Sequence, residues 1–584
     1  MIFGNRVKKI SILAMVGALA LSIGACKSKE NTEYADLESY FEIEQVGQYD
    51  GAAVIVDGRL SGAGFVKDGY YYINYQTVRE KIDDHYYFDE TEKILTYASS
   101  KHIYDAVSGQ LTYTEDGKEN TAGTEPVLWV DESAYISIDY IKIMNGGILS
   151  ETYSEPHRVD VKVNNQVTLA KTTEATVLRT DKGVGYPIVA DISKDAELYI
   201  VSDGDTWTKV CNGDGIMGYI ENGKLGESYE KTWTLEKSWV EYEPYTYLTM
   251  DEKVCLGWHQ MEYEGGNDSL SSLIKGADGL NVISPTWFEV TDIYGGISSL
   301  ASKNYVDKAH KSGIQVWGLI SDFVFGEDGN SLVNKALSVT SSRRKLIGNI
   351  MEEAAACGMD GINIDFENIR RVYVEGYIQF IRELAIECES AGLVLSVDMY
   401  VPREDNQYYD RESVGEAVDY LVIMGYDEHW AGCNQAGSVA SLPYVTNGIT
   451  DTLLEVPASR VINAIPFFTR VWYEDSLENA PDGAVIVEDA INGDYALSSK
   501  AYGLETARKL LEDNGANIVW LEDLGQHYGE YYADGRLSRI WLEDKTSLTA
   551  KLNVMKSNNL AGVACWRLGL ESPEAWEAIG EFLK

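Results

Sequence analysis

Alternation of apolar and polar residues is clearest in the stretch Asp360-Gly-Ile-Asn-Ile-Asp-Phe-Glu367. Such alternation predicts a β-strand with one face in a core. Three apolar side chains share one face and three polar ones share the other: Ile362, Ile364 and Phe366 against Asn363, Asp365 and Glu367. Stacked carboxylates repel each other, so one of them should keep its proton near neutral pH and could act as a general acid.

Apolar runs alternate with helix-like segments from about residue 250 to residue 584, which predicts a β/α barrel. The predicted strands are residues 254–258, 281–287, 315–320, 361–367, 394–399, 420–426, 461–467 and 562–566. The predicted helices include residues 343–357, 373–391 and 501–514, with a hairpin around residues 520–541. The last helix and the hairpin form an insertion after the seventh strand. We expect this insertion to form one side of a substrate cleft.

The region before the barrel divides into four segments. Residues 1–25 contain Arg6, Lys8 and Lys9 and then an apolar run at 10–23, which is typical of a signal peptide. The run ends in Ile23-Gly-Ala-Cys26, which resembles a bacterial lipobox, so Cys26 is the predicted lipidation site and residues 26–48 a polar tether. The alternative is a simple signal peptide with a chance cysteine.

Residues 49–162 and 166–228 predict two small domains. The first has short strands and two strand-to-helix units at 75–82 and 136–143, and it loosely resembles the N-terminal domain of copper amine oxidases. Its histidines lack a ligand pattern, so no copper is implied. The second, with strands predicted near residues 176–180, 197–201, 207–210 and 215–220, resembles a bacterial SH3-like module. It could bind cell wall or serve as a spacer.

Charge and motif content exclude several functions. The formal net charge is −43, which repels the phosphates of nucleic acids, so we exclude nucleic-acid binding. Six cysteines beyond Cys26 and seven histidines are scattered without ligand spacing, and we predict no metal site. Phosphate-cradle and dinucleotide fingerprints are absent, so we expect no cofactor. The cysteines are expected to be buried thiols.

The octet at 360–367 resembles the signature of glycoside hydrolase family 18, D-G-x-D-x-D-x-E, with Asn363 in place of the second Asp. Met424-Gly-Tyr426-Asp427 resembles the family's M-x-Y-D motif, and Trp566 matches its strand-eight tryptophan. The resemblance implies that Glu367 protonates the glycosidic oxygen while the substrate's own N-acetyl group attacks the anomeric carbon. It also implies that Asp365 orients that acetamido group and that Tyr426 contacts its oxygen.

Further substrate-binding residues are predicted from the motifs and from the strand ends, where barrel enzymes place their chemistry. Aromatic rings at these ends could stack on sugars. The predicted set is Asp360, Asn363, Asp427, Trp566, Met424, Trp258, Trp287 and Tyr400. Asn363 could still accept or donate a hydrogen bond to Asp365, although it carries no charge. The string from Gly361 to Asn368 looks like the spore-cortex-lytic and cell-wall glucosaminidase branch of the family.

These observations predict a lipid-anchored glycosidase on the extracellular face of a bacterial membrane, acting as a monomer. Its substrate would be a polysaccharide containing N-acetylglucosamine, cleaved at β-1,4 bonds, with peptidoglycan favoured. Chitin and N-glycans are alternative substrates, and endo and exo cleavage stay open. A protein of another class, a glycan-binding barrel without hydrolytic activity, is the competing hypothesis.

Overall fold

The structure is a computed structural model, and it describes residues 29–145, 148–232, 243–491 and 493–584. The predicted signal peptide and Cys26 lie outside these residues. No helix in the described ranges is long and apolar enough to cross a bilayer. Five of the six cysteines in these ranges are buried free thiols, and Cys433 is partly buried.

The chain divides into two compact units. Among the described residues, one unit comprises 29–45, 50–63 and 149–232, and the other comprises 46–49, 64–148 and 243–584. These units do not coincide with the predicted domains at 49–162 and 166–228. The chain returns at residues 149–162 to pair with the strand at 50–56, which joins segments that are distant in sequence.

The first unit is built almost entirely of strands. In its three-stranded part, His157–Lys162 pairs in parallel with Asp50–Val56 and antiparallel with Leu149–Ser154. The remaining strands form one antiparallel sheet: Gln166–Thr172, Thr176–Arg179, Ile188–Ile192, Glu197–Ser202, Trp207–Cys211, Met217–Glu221 and Leu225–Thr232. The strands predicted in the SH3-like region are confirmed, while its assignment to that family stays a prediction.

The predicted tether is partly folded. A short helix, Leu37–Tyr40, is followed by Phe41, which is buried in the apolar cluster of this unit. Tyr34 donates a hydrogen bond to Asp191 at 2.7 Å. The tether prediction is therefore wrong for residues 31–43, because a few apolar side chains within this polar stretch are enough to pack it onto the sheet.

The second unit begins with small sheets and two short helices. The strands are Tyr70–Asn74, Tyr86–Asp89, Ile94–Ala98, Ile103–Val107, Thr112–Glu115, Lys118–Thr121, Val127–Val130 and Ser133–Ser137, and Arg59–Lys67 lies across the boundary between the units. The helices are Tyr75–Lys81 and Ile138–Met144. Each helix directly follows a strand, which confirms both predicted strand-to-helix units. Asn74 and Ser137 cap their N-termini through side-chain oxygens.

The rest of the second unit is a closed barrel of eight parallel strands. We number them β1 to β8: Val254–His259, Val282–Val290, Gln315–Ser321, Gly361–Asp365, Val394–Tyr400, Tyr420–Met424, Val461–Pro466 and Gly562–Trp566. The helices around them are Leu270–Leu273, Lys303–Lys311, Val333–Ser338, Thr340–Cys357, Val374–Ala391, Arg411–Ala417, Leu442–Thr452, Lys545–Ser557 and Pro573–Phe582. All eight predicted strands and the (β/α)8 fold are confirmed.

The insertion after β7 is a six-stranded antiparallel sheet with one helix, Leu504–Asp513. Its strands are Phe468–Asp475, Val485–Val487, Tyr495–Gly503, Val519–Leu521, Gln526–Ala533 and Arg536–Leu542. A short strand, Ile297–Ser299, also pairs antiparallel with the last residues of β2. Single 3-10 turns occupy Asn222–Lys224, Glu264–Ser269, Arg371–Tyr373, Gln407–Tyr409, Ala458–Arg460 and Leu477–Asn479.

The octet at 360–367 follows the predicted alternation. Phe366 stacks on Phe380 of the helix Val374–Ala391, with ring centroids 5.6 Å apart. On the other face, Asn363 and Asp365 point into the barrel, where both are buried. Helix Thr340–Cys357, which precedes β4, ends at Gly358 with φ of 70°, a conformation that glycine adopts without steric cost.

Candidate active site

Three carboxyl groups gather at the C-terminal end of the barrel: Asp365 at the end of β4 and Asp398 on β5, which are buried, and Glu367 just after β4, which is half-buried. Burial is the main cause that raises the pKa of all three. Nearby carboxylates raise it further: Glu367 acts on both Asp365 and Asp398, whereas Asp322 and Asp427 act on Glu367. The sequence predicted that one stacked carboxyl would keep its proton. The structure brings together three carboxyl groups, and their raised pKa values agree with the expectation that one of them keeps its proton.

Asp365 lies at the centre of the group. Within the described residues its Oδ1 is buried and has no hydrogen-bond partner. Burial, then the charges of Glu367 and Asp398, hold its pKa well above the usual range. A buried oxygen without a partner is costly, which fits a group that awaits a donor from a ligand.

Asn363 takes part in a different contact from the one predicted. Its Oδ1 accepts hydrogen bonds from Trp258 Nε1 at 2.9 Å and Ser284 Oγ at 3.1 Å, and its amide donates to Ser396 Oγ at 3.0 Å and Asp398 Oδ1 at 2.8 Å. The expected bond to Asp365 is absent among these. The reason is that Asn363 lies two residues before Asp365 on β4, deeper in the barrel, where its side chain meets groups from β1, β2 and β5.

Glu367 is held by groups on both sides. Its backbone N–H donates to Asp322 Oδ1 at 3.1 Å, and its carbonyl accepts from Tyr409 Oη at 2.9 Å. The hydroxyl of Tyr400 hydrogen-bonds its carboxylate. Burial raises the pKa of Glu367, while the bond from Tyr400 opposes that rise. A carboxyl with a raised pKa, fixed at the barrel rim, suits a general acid.

The predicted β6 motif lies beside these acids. Met424 is the buried last residue of β6. The carboxylates of Asp365, Asp398 and Glu367 are close enough to Tyr426 to raise its pKa further, after burial. Asp427 has φ of 57°, and its buried Oδ1 has no hydrogen-bond partner in the described chain, although Arg470 from the insertion lies 3.9 Å away.

The two predicted rim residues Trp258 and Trp566 form one edge-to-face pair, with ring centroids 5.8 Å apart. Trp566, the last residue of β8, is half-buried and remains available to a ligand. Trp258 is buried beneath it, and its indole N–H is used by Asn363. The substrate-stacking role predicted for Trp258 is therefore not supported; it forms the floor below Trp566.

Trp287 and Asp360 lie away from the acid group. Trp287 is buried against Tyr305 in the layer outside the barrel, and it donates to Asn267 Oδ1 at 3.0 Å. Asp360 precedes β4 at the opposite end from Glu367, where it accepts from Val316 N at 2.8 Å and contacts His310 at 2.7 Å. Neither position is compatible with the predicted substrate contact. The side chain of Trp287 points away from the barrel interior, because side chains along a strand alternate in direction. Asp360 lies at the other end of β4, which opens on the opposite rim of the barrel.

Asp322 and Asp398 are site residues that the sequence prediction missed. Asp322 follows β3, and its two oxygens accept hydrogen bonds from the backbone N–H groups of Glu367 and Asn368 and from the Asn368 side chain. The signal for Asp398 was present in the alternation of Ser396, Asp398 and Tyr400 along β5. Without the barrel, nothing indicated that these polar residues face Asn363 and Glu367.

A pocket of about 400 Å³ opens next to Glu367. It is formed by the loops after β3, β4 and β5, and its lining includes Phe325, Asn330, Asn368, Arg370, Arg371 and Tyr408. Phe325 is about half exposed. The pocket thus joins the proposed acid to an aromatic surface and two positive charges.

One group among the described residues has the composition of a metal site, Asp83, Asp84 and His85, which lies outside the barrel. His85 Nδ1 lies 2.7 Å from Asp83, and Arg382 donates to Asp84 at 2.9 Å. Burial opposes protonation of His85, but hydrogen bonds with Asp83 and Asp84 raise its pKa to about 9. These hydrogen bonds connect the turn at residues 83–85 to Arg382 of the helix Val374–Ala391.

Comparison with known proteins finds a family match within the barrel. Residues 303–571, from the helix after β2 to just beyond β8, match the model of Glycosyl hydrolases family 18. The resemblance predicted from the octet, from Met424-Gly-Tyr426-Asp427 and from Trp566 is confirmed for this part of the chain. The two N-terminal segments have no such support and stay predictions.

The relatives include spore and chitin enzymes. The chain is 27% identical to the cortical fragment-lytic enzyme of Bacillus subtilis over 41% of this chain and 53% of that protein, and 24% identical to the di-N-acetylchitobiase of Mus musculus over 38% and 64%. A crystal structure of the Bacillus megaterium spore cortex-lytic enzyme SleL superposes with a TM-score of 0.47 at 21% identity, over 60% of this chain and 78% of that one. The chain spans little more than half the length of the Bacillus cortical enzymes that it matches.

Proposed function

We propose, on the premise that the barrel is a family 18 glycoside hydrolase domain, that the chain hydrolyses β-1,4 bonds after N-acetylglucosamine. The observation that carries this proposal is the placement of Glu367 and Asp365. One half-buried carboxyl with a raised pKa lies at the rim, and a second, buried one with a free acceptor oxygen lies just below it.

Each residue then has a role. Glu367 gives its proton to the glycosidic oxygen, so the leaving sugar departs as a neutral alcohol. The carbonyl oxygen of the substrate's acetamido group attacks the anomeric carbon and forms an oxazolinium ion, which water then opens with net retention. Asp365 accepts the acetamido N–H through its free oxygen, Tyr426 contacts the acetamido carbonyl, and Trp566 packs under the sugar ring.

Peptidoglycan is the favoured substrate. The support comes from relatives named cortical fragment-lytic enzyme and from the motif string that the chain shares with the wall-degrading branch. Chitin oligosaccharides are the second candidate, favoured by the match to di-N-acetylchitobiase. The sugar subsite would recognise the N-acetyl group, which both polymers carry.

We also propose that the chain is exported and held at the outer face of the cell membrane through a lipid on Cys26. The proposal rests on the basic residues, the apolar run and the lipobox-like Ile23-Gly-Ala-Cys26. Labelling of the full chain in cells with a radioactive fatty acid tests it. Label should be incorporated by the native chain and be lost from Cys26→Ser.

The experiment for the activity uses soluble protein that starts after Cys26. The native chain and Glu367→Gln are incubated with peptidoglycan and with chitin oligosaccharides, and new reducing ends are identified by mass spectrometry. Glu367→Gln should lower the rate by about 10²- to 10⁴-fold while substrate still binds. The matched control is Glu404→Gln, an exposed carboxylate on the loop after β5, which should keep full activity.

The products decide between the candidates. Muropeptides that end in N-acetylglucosamine, made only by the native chain and the Glu404 control, support the wall glucosaminidase. Cleavage of chitin oligosaccharides alone retains the mechanism and changes the substrate. Binding of both polymers without cleavage of either would overturn the proposal in favour of a glycan-binding barrel.

A further inference from the structure

The pocket beside Glu367 contains two adjacent arginines, Arg370 and Arg371. Both are exposed, and within the described residues neither is joined to a carboxylate by a salt bridge. Elsewhere on the same rim, Lys335 pairs with Asp328 at 3.0 Å and Arg403 with Asp405 at 3.2 Å. The only acid in the pocket lining is Glu367 itself.

The two arginines are held in place by their surroundings. The backbone N–H of Arg370 donates to Asn334 Oδ1 at 2.9 Å. The guanidinium of Arg371 lies 5.1 Å from the centroid of the Tyr408 ring, whose hydroxyl donates to the Ile369 carbonyl at 3.0 Å. These contacts fix the loop and leave the guanidinium N–H groups free for a ligand.

The two arginines stand out against the composition of the chain, which carries 92 acidic and 49 basic residues. A surface that negative repels an anionic polymer, so productive approach of an acidic glycan needs a local positive site. Arginine is well suited to this task, because its planar fork donates two parallel hydrogen bonds to one carboxylate.

The position of the pocket indicates which sugar meets these arginines. Trp566 comes from β8 and Tyr426 follows β6, whereas the pocket is built from the loops after β3, β4 and β5. Glu367 lies at the boundary between the two sides. A sugar in the pocket is therefore the neighbour across the bond that Glu367 would protonate, on the leaving-group side.

We propose that Arg370 and Arg371 form a subsite for a carboxylate on the leaving-group sugar, so that the barrel selects acidic glycans over neutral ones. This inference rests on the proposed function for the direction of cleavage. In peptidoglycan the sugar that follows N-acetylglucosamine carries a lactyl group. Its carboxylate is either free or extended by a peptide with carboxylates of its own, and either source has the required chemistry.

Binding tests the subsite without relying on catalysis. Calorimetry on the Glu367→Gln chain compares three tetrasaccharides of equal backbone length. One is chitotetraose, which is neutral. The second alternates N-acetylglucosamine with peptide-free N-acetylmuramic acid, and the third carries the peptides. We expect at least one acidic ligand to bind about tenfold or more tightly than chitotetraose, with a preference that weakens as salt rises.

Arginine variants identify the groups responsible. Arg370→Gln/Arg371→Gln in the Glu367→Gln background should abolish the preference, whereas Arg403→Gln, which removes an exposed arginine of the same rim, should keep it. Preference for the peptide-free ligand assigns the lactyl carboxylate, and preference for the peptide-bearing ligand alone assigns the peptide. Equal affinity for all three ligands, or a preference that survives the double substitution, overturns the subsite.

Hydrolysis separates this inference from the proposed function. If the native chain cleaves none of the three ligands but the charge preference in binding is present and depends on the arginines, the proposed activity fails and the subsite stands. If cleavage occurs at equal kcat/KM for the neutral and acidic ligands, the activity stands and the subsite fails.

Discussion

Asn363 on β4 donates a hydrogen bond from its side-chain amide to Asp398 on β5, with 2.8 Å between Nδ2 and Oδ1. Both side chains are buried, and Asp398 contributes to the raised pKa of Asp365. The family signature that the octet resembles has an acid at position 363. In this chain the second acid comes instead from the neighbouring strand.

The first prediction concerns Asp398→Asn. Asp398 raises the pKa of Asp365 by repulsion, so its removal lowers that pKa and lets Asp365 ionise at lower pH. The acidic limb of the kcat/KM profile should move to lower pH. The basic limb, which Glu367 would set, should move less. A full pH–rate profile measures both limbs, and an unmoved acidic limb would show that Asp398 has no electrostatic effect on the reaction.

Asn363→Asp should act in the opposite direction. A further carboxyl next to Asp398 adds negative charge near Asp365, so the acidic limb should move to higher pH. In the combined variant Asn363→Asp/Asp398→Asn the acid is transferred to β4, and a profile closer to that of the native chain is expected. If the pH–rate curve of Asn363→Asp matches that of the native chain, position 363 has no electrostatic role.

Tyr400→Phe tests the hydrogen bond to Glu367. That bond stabilises the charged carboxylate and so lowers the pKa of Glu367. Its loss should raise this pKa, keep the acid protonated to higher pH and move the basic limb of the profile to higher pH. Tyr408→Phe is the control, because its hydroxyl bonds the Ile369 carbonyl instead. A shift of equal size in both variants would exclude a specific effect of Tyr400.

Asp322→Ala should weaken both stability and activity. Its buried carboxylate accepts three hydrogen bonds, from the N–H groups of Glu367 and Asn368 and from the Asn368 side chain. Loss of the acceptor leaves buried donors unpaired and should lower the free energy of unfolding by roughly 1–3 kcal/mol. Urea denaturation measures this change. Asp322→Asn, which retains an acceptor oxygen, should lose less, and equal loss in both variants would contradict this explanation.

Lys551 and Glu543 form a fully buried ion pair, with both carboxylate oxygens 2.8 Å from Nζ. Lys551→Met leaves the carboxylate without its counter-charge and should lower the free energy of unfolding by about 3–5 kcal/mol. Adding Glu543→Gln removes the stranded charge and should recover part of that loss. A double variant that is less stable than Lys551→Met would rule out charge burial as the cause. Denaturant titration compares the three proteins.

The local pattern of apolar and polar residues was sufficient to predict much of the barrel. The alternation at 360–367 correctly separated Ile362, Ile364 and Phe366 from Asn363, Asp365 and Glu367, because the side-chain period of a strand depends on the backbone alone. The eight strands and the motif residues Met424, Tyr426 and Trp566 were likewise predictable, since each motif is contiguous in sequence. The half-buried position of Trp566 at the rim followed from its place at a strand end.

Contacts between distant segments were not predictable in the same way. Trp258 and Trp287 both lie on barrel strands, yet one forms the floor and the other packs outside, because that choice depends on which residues oppose them. Asp398 and Asp322 reach the site only through the pairing of β5 and β3 with β4. The sequence determined which residues lie on each face of a strand. The closure of the barrel decided which of them meet, and therefore which carboxyl groups lose water and have a raised pKa.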